Sequence, residues 1–130
     1  GGGSGLGKAM SKYFLELGAR VVISSRNLEK IQNAAKELTK ETSGEVLAFP
    51  CDVRHYNQVE ALVNGANEHF GSVDILVNNA AGNFISPTER LSSNAFDTII
   101  DIVLKGSVNM TMNFSSYKLP LKVCSLSRLC

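Results

Sequence analysis

Apolar residues recur along this chain in two alternating periods. Val21, Val22 and Ile23 form a short continuous run, Val46 to Phe49 a second, and Asp74 to Val77 a third. Runs of that length without polar alternation suit parallel strands covered on both faces. Between and around them the period becomes helical. Met10, Tyr13, Phe14 and Leu17 make one stripe, and Leu28, Ile31, Ala35 and Leu38 a second. Val59, Leu62, Val63, Ala66 and Phe70 make a third; Phe96, Ile99, Ile100, Val103 and Leu104 make a fourth. Gly18, Gly44 and Gly71 are placed as helix stops, and Pro50 halts the second strand. Asn57 and Glu60 are spaced like an imperfect capping box, while Ser92 or Ser93 can cap the fourth helix. Strand–helix alternation with short connections predicts an α/β fold, a doubly wound parallel sheet with right-handed crossovers. The pattern weakens after about Thr111. Residues 112–130 are interrupted by Pro120 and read as a divergent, frayed tail, with 121–126 as a weaker strand candidate.

Ahead of the first stripe stands Gly1-Gly2-Gly3-Ser4-Gly5-Leu6-Gly7. Missing side chains let backbone N–H groups approach a diphosphate, and the helix N-terminus that follows adds a favourable dipole and unpaired donors. A buried strand normally delivers the chain into such a turn. None precedes Gly1 in this sequence, so an incomplete fold is expected, with the first strand and later strands missing. In a 3-2-1-4 order that first strand is central, and its two neighbours would lack ladder partners.

Bulk properties narrow the function classes. At 130 residues the chain suits one domain. A net charge of +1 with scattered Lys and Arg argues against nucleic acid. No apolar run approaches the ~20 residues that span a bilayer. Cys51, Cys124 and Cys130 show no metal-ligand spacing and point to a reducing compartment. Cys51 reads as a small buried apolar residue rather than a nucleophile. Ser127-Arg128-Leu129 approaches a peroxisomal tripeptide, but Cys130 follows it.

The second strand-end position after the glycine turn chooses the nucleotide. A carboxylate there would bond an adenosine ribose and repel a 2′-phosphate. Here stands Arg26, whose guanidinium fork suits phosphate, with Ser25 as a further hydroxyl donor. NADP(H) is therefore favoured over NAD(H), unless Arg26 is only a solvated helix-start residue. Asp52, followed by Val53, can accept a hydrogen bond from an adenine amino group, cap the next helix, or do both. Asn78-Asn79-Ala80-Ala81-Gly82 closes the next strand with small residues that let backbone approach a flat ligand.

These segments resemble the short-chain dehydrogenase/reductase family over roughly residues 1–111. The resemblance rests on Gly1, Gly5 and Gly7, on Asp52, and on the element from Asn78 to Gly82. Within it, the extra alanine and the run from Asn83 to Leu91, together with Asp52-Val53-Arg54 and Asp101-Ile102-Val103-Leu104, are similar to 2,4-dienoyl-CoA reductases, the mitochondrial form more than the peroxisomal. The resemblance implies an NADPH-dependent oxidoreductase, with residues 1–111 as a partial Rossmann domain. It implies reduction of a 2,4-dienoyl-CoA to a 3-enoyl-CoA in fatty acid β-oxidation, in the mitochondrial matrix or alternatively the peroxisome. Gly1, Gly2, Gly3, Ser4, Gly5, Leu6 and Gly7 would hold the diphosphate, Ser25 and Arg26 the 2′-phosphate, and Asp52 and Val53 the adenine. Asn79, Ala80, Ala81 and Gly82 would meet the ribose, and Arg54 and Phe84 would line the acyl-CoA side. Homo-oligomerisation through the helix of residues 92–111 is a further implication.

Two departures stand out. The family's catalytic Tyr-x-x-x-Lys is absent, since Tyr117 and Lys118 are adjacent, and Lys105 replaces the helix asparagine expected before Gly106. The chain as given is expected to be inactive. The alternatives are a non-catalytic product that binds nucleotide or pairs with full-length subunits, and another short-chain reductase acting on a ketone or alcohol.

Overall fold

The computed structural model describes residues 1–81, 92–116 and 122–125. Helix α1 (Gly5–Glu16) leads to strand β1 (Val21–Ser25), and α2 (Leu28–Thr42) to β2 (Val46–Pro50). Helix α3 (Tyr56–Phe70) precedes β3 (Ile75–Asn78); then come α4 (Ser93–Ile100), a π-helical turn at Asp101–Lys105, α5 (Gly106–Ser115) and β4 (Lys122–Ser125). All three sequence-predicted strands form, each within a residue or two of its apolar run.

The parallel sheet exists as two separate ladders. β1 pairs with β2 in register Val21↔Val46, and β3 pairs with β4 in register Ile75↔Lys122. Among the described residues β1 and β3 share no ladder. Of the tail, residues 112–115 complete α5 and 122–125 form β4, so the weaker alternative of a strand near 121–126 is the one observed there.

Two cores form, and β1 and β2 contribute to both, since Val22 and Phe49 pack against the second. Ile23 of β1 packs with Leu15, Ile31, Ala34 and Leu38. Leu76 of β3 packs with Cys51, Val59, Leu62, Val63 and Phe114. The α3 stripe is buried at all five expected positions. The α1 stripe is not: Tyr13 and Leu17 are 61% and 66% exposed, and the inward face is Gly7, Ser11 and Leu15. Small residues win there because α1 lies close to the glycine turn and sheet, a contact that bulky stripe residues would prevent.

Local chemistry sets the helix ends. Asn27 caps α2 by accepting from Lys30 N–H at 2.9 Å, and Ser92 caps α4 by accepting from Ala95 N–H at 3.2 Å. The cap of α3 is His55 rather than Asn57, and its side chain makes no capping bond. Ser43, at φ 57°, takes the left-handed position ending α2, ahead of Gly44. The fourth stripe is interrupted by the π-helical turn, which buries Ile102 and leaves Phe96, Ile100, Leu104, Val108 and Met112 exposed, each four residues from the next.

Candidate functional site

Three chain ends converge on one spot: the glycine turn, the carboxyl end of β1 and the carboxyl end of β3. Gly1 and Gly2 N–H groups donate to Ser24 O at 2.7 and 3.1 Å. Asn79 Nδ2 donates to Gly1 O at 3.2 Å, tying the loop after β3 to the turn. A cavity of about 780 Å³ opens there, lined by Gly1–Ser4, Ser25, Arg26, Asp52 and Asn79–Ala81 among others. The same cavity runs on between β1 and β3, past Val22, Leu62 and Phe114; its mouth lies at the carboxyl edge of the parallel strands, where such folds bind ligands.

The turn is shaped by close approach. A Cβ on Gly2 would lie 2.7 Å from Ile23 Cβ, and one on Gly7 would lie 2.6 Å from Asn79 Nδ2 and deep inside the Gly1 carbonyl oxygen. Gly5, at φ +53°, meets nothing within 4 Å, so backbone conformation rather than space selects glycine there. Ser4 occupies the cap position of α1 in extended conformation, but its side chain makes no capping bond. No acidic residue lies in the first turn. Unlike α2 and α4, α1 therefore presents its N-terminal amides and positive dipole end uncapped, which is the arrangement an anion fills.

Arg26 is exposed at the end of β1 and forms no ion pair among the described residues. Its guanidinium is available to a ligand. Ser25 is less free: its Oγ donates to Asn27 O and accepts from Asn27 N–H, both at 3.2 Å, so a role toward phosphate would require giving up this turn.

Asp52 and Arg54, assigned from sequence to different ligands, are bonded to each other. Arg54 Nε donates to Asp52 Oδ1 at 2.9 Å and Nη2 to Oδ2 at 2.5 Å, and Arg54 N–H also donates to Oδ1 at 3.1 Å. The carboxylate thus closes a turn at residue 54 instead of capping α3. These bonds hold Asp52 below the ordinary carboxylate range against the opposing effect of its burial. The pair's contribution is present at neutral pH and is lost as acid protonates the carboxylate. Val53 O accepts from the buried Asn109 Nδ2 at 2.9 Å, and Val53 Cγ2 packs where a Cβ on Gly106 would sit. Asn109 has no counterpart in the sequence-derived site; its only signal was a polar residue on the inward side of an apolar helix. Lys105 ends the π-helical turn and pairs with Asp101 at 3.9 Å, exposed to solvent. Gly82 and Phe84 lie outside the described residues.

Cys51 is buried beside this site, and burial first, then the neighbouring Asp52, pushes its thiol up to about 11. It is expected to resist alkylation at neutral pH in the folded chain and to react once denaturant is added. Mass spectrometry localised to Cys51 checks this, and rapid labelling without denaturant would contradict the burial.

Comparisons with known proteins agree with this geometry. The family model described as short chain dehydrogenase matches residues 1–119. A Caenorhabditis elegans protein named probable 2,4-dienoyl-CoA reductase 3 is 50% identical over 112 residues, 85% of this chain and 36% of that protein. The peroxisomal 2,4-dienoyl-CoA reductase of Danio rerio is 47% identical over 109 residues, 84% of this chain and 36% of that one. A crystal structure of a metagenomic short-chain oxidoreductase in complex with NADP superposes with a TM-score of 0.88 at 28% identity, covering 100% of this chain and 60% of that one. The chain thus spans little more than a third of the curated relatives it matches. With an uncapped helix behind a glycine turn at the carboxyl edge of a parallel α/β sheet, and with this family match, the chain belongs to the short-chain dehydrogenase family.

Proposed function

We propose that this chain is the nucleotide-binding part of an NADPH-dependent reductase acting on 2,4-dienoyl-CoA. One observation carries the cofactor choice: Arg26 stands unpaired among the described residues at the end of β1, beside the uncapped α1. The substrate class comes from the likeness to dienoyl-CoA reductases.

The Gly3 amide and the α1 N-terminus hold the diphosphate, while Gly1 and Gly2, whose N–H groups donate to Ser24 O, shape the turn; Arg26 holds the 2′-phosphate by charge-assisted bonds. Asn79 fixes the turn through Gly1 O, with Ala80 and Ala81 leaving room for the ribose. Asp52 offers the adenine side only those lone pairs that Arg54 leaves free, and Arg54 reaches an acyl-CoA only by releasing Asp52. When bound, NADPH supplies a hydride equivalent to the conjugated diene; the chain's own part is to bind and orient. Pairing of subunits through the exposed Phe96–Met112 stripe, and residence in the mitochondrial matrix or the peroxisome, belong to the same proposal.

In a chain extended to the length of its relatives, NADPH is expected to be consumed with a 2,4-dienoyl-CoA and not with a 3-oxoacyl-CoA, and NADH is expected to serve poorly. Chain 1–130 alone is expected to show no turnover. Reduction of ketones only would overturn the substrate reading, and equal use of NADH would overturn the role of Arg26.

A further inference from the structure

Given the nucleotide reading above, on which this rests, we propose that Arg54 is a positioning residue for recognition of the base. Its guanidinium fills the lone pairs of Asp52 but for one on Oδ2, and that one accepts an exocyclic amino group and rejects a base bearing oxygen there. A carboxylate offers about four acceptor positions, two on each oxygen. Oδ1 accepts from Arg54 N–H at 3.1 Å and from Nε at 2.9 Å, which uses both of its positions. Oδ2 accepts from Nη2 at 2.5 Å, with the Nε proton shared to it at 3.1 Å. His55 Nε2 stands 4.0 Å from Oδ2, beyond hydrogen-bond reach. One position on Oδ2 is left, and Asp52, 13% exposed, lines the cavity that Arg26 and the glycine turn also line.

The turn that carries the carboxylate is fixed independently. Asp52 N–H donates to Gln58 Oε1 at 2.9 Å, and Val53 O accepts from Asn109 Nδ2 at 2.9 Å. An ionised carboxylate only accepts. The amino group of adenine donates to it, whereas a carbonyl oxygen at that place presents a second acceptor and is repelled. Such a base would bind only if Asp52 took up a proton. Arg54 opposes this: its side chain first, then its N–H, holds the carboxylate below the ordinary range, while burial pushes the other way. The other ionisable groups around the pair are the exposed His55, the buried Cys51 thiol and Asp101 of the π-helical turn, which acts on Arg54. Removing Arg54 leaves burial unopposed by the fork. Protonation of Asp52 then begins at higher pH, and selection for the amino group fails in weak acid.

The test is calorimetric titration of chain 1–130 with NADP+ and with its 6-oxo analogue, nicotinamide hypoxanthine dinucleotide phosphate. The wild type is expected to bind NADP+ about tenfold tighter, the worth of one charge-assisted bond. Arg54→Ala keeps the backbone N–H and the Gln58 and Asn109 bonds, so the turn persists. In this variant the margin is expected to shrink at neutral pH and to vanish in weak acid, where the wild type keeps it. Arg54→Lys, a charge without the fork, is expected to restore the pH profile but not the neutral-pH margin. Without nucleotide, NMR titration of the labelled Asp52 carboxyl is expected to give a higher midpoint in Arg54→Ala than in the wild type. Equal midpoints, equal margins in the two proteins, or wild-type binding that ignores the 6-position would each overturn the proposal while leaving the nucleotide reading standing. Failure of NADP+ itself to bind would overturn both.

Discussion

Replacing Gly7 with alanine is expected to remove detectable dinucleotide binding and to lower stability. Two effects oppose each other. Alanine inside a helix gains ~0.5–1 kcal/mol over glycine from backbone entropy. The new Cβ, however, would lie 2.6 Å from Asn79 Nδ2 and overlap the Gly1 carbonyl oxygen, which is backbone and cannot swing aside. Overpacking of this kind costs roughly 1–3 kcal/mol, so the clash wins. Relief requires moving Gly1, and that breaks the Asn79 bond and the pairing with Ser24 that shape the proposed diphosphate site. Calorimetric titration should show at least a hundredfold loss with retained helical circular dichroism. Gly5→Ala is the comparison, since it meets no neighbour and pays only for its positive φ. Equal binding by Gly7→Ala and wild type would contradict the close approach.

Ile31→Ala is expected to give the largest loss of stability among single truncations near the site. Ile31 is 0% exposed and joins α2 to Leu15 and Ile23 in the first core. It also supports the turn, since a Cβ on Gly3 would lie 3.2 Å from its Cγ2. Such truncations cost about 2–5 kcal/mol, a large share of a typical ~5–15 kcal/mol. A thermal midpoint lower by about 10 °C or more follows. Because the support of Gly3 is lost too, nucleotide should restore less of the midpoint than it does in the wild type. A shift below 2 °C would show that the site collapses around the gap.

Much of this arrangement could be read from residue patterns because the deciding forces are local. The glycine run, the β1 and β2 apolar runs and the α3 stripe each specify their element without help from distant residues, and α3 buries all five expected positions. What escaped depends on contacts between remote segments. The inward face of α1 is Gly7, Ser11 and Leu15 because the turn it meets lies close; hydrophobicity alone pointed to Tyr13 and Leu17. Asp52 and Arg54 are two residues apart, yet the sequence offers Asp52 to adenine or to a helix cap and Arg54 to an acyl-CoA or to solvent, and only the geometry shows that they bond each other. The π-helical turn at Asp101–Lys105 adds a residue to one turn, which no 3.6-residue stripe can display. It ends at Lys105. β4 lay in a stretch with little periodicity, and its place is set by pairing with β3.

The most direct measurement is titration of chain 1–130 with NADPH and NADH, repeated on Arg26→Ala. A charge-assisted bond of ~1.5–3 kcal/mol to the 2′-phosphate corresponds to a preference of about ten- to a hundredfold. The expected result is tighter binding of NADPH by that margin, lost in the variant while NADH binding is unchanged. Equal affinity for the two dinucleotides in the wild-type chain, or a preference that survives removal of Arg26, would contradict it.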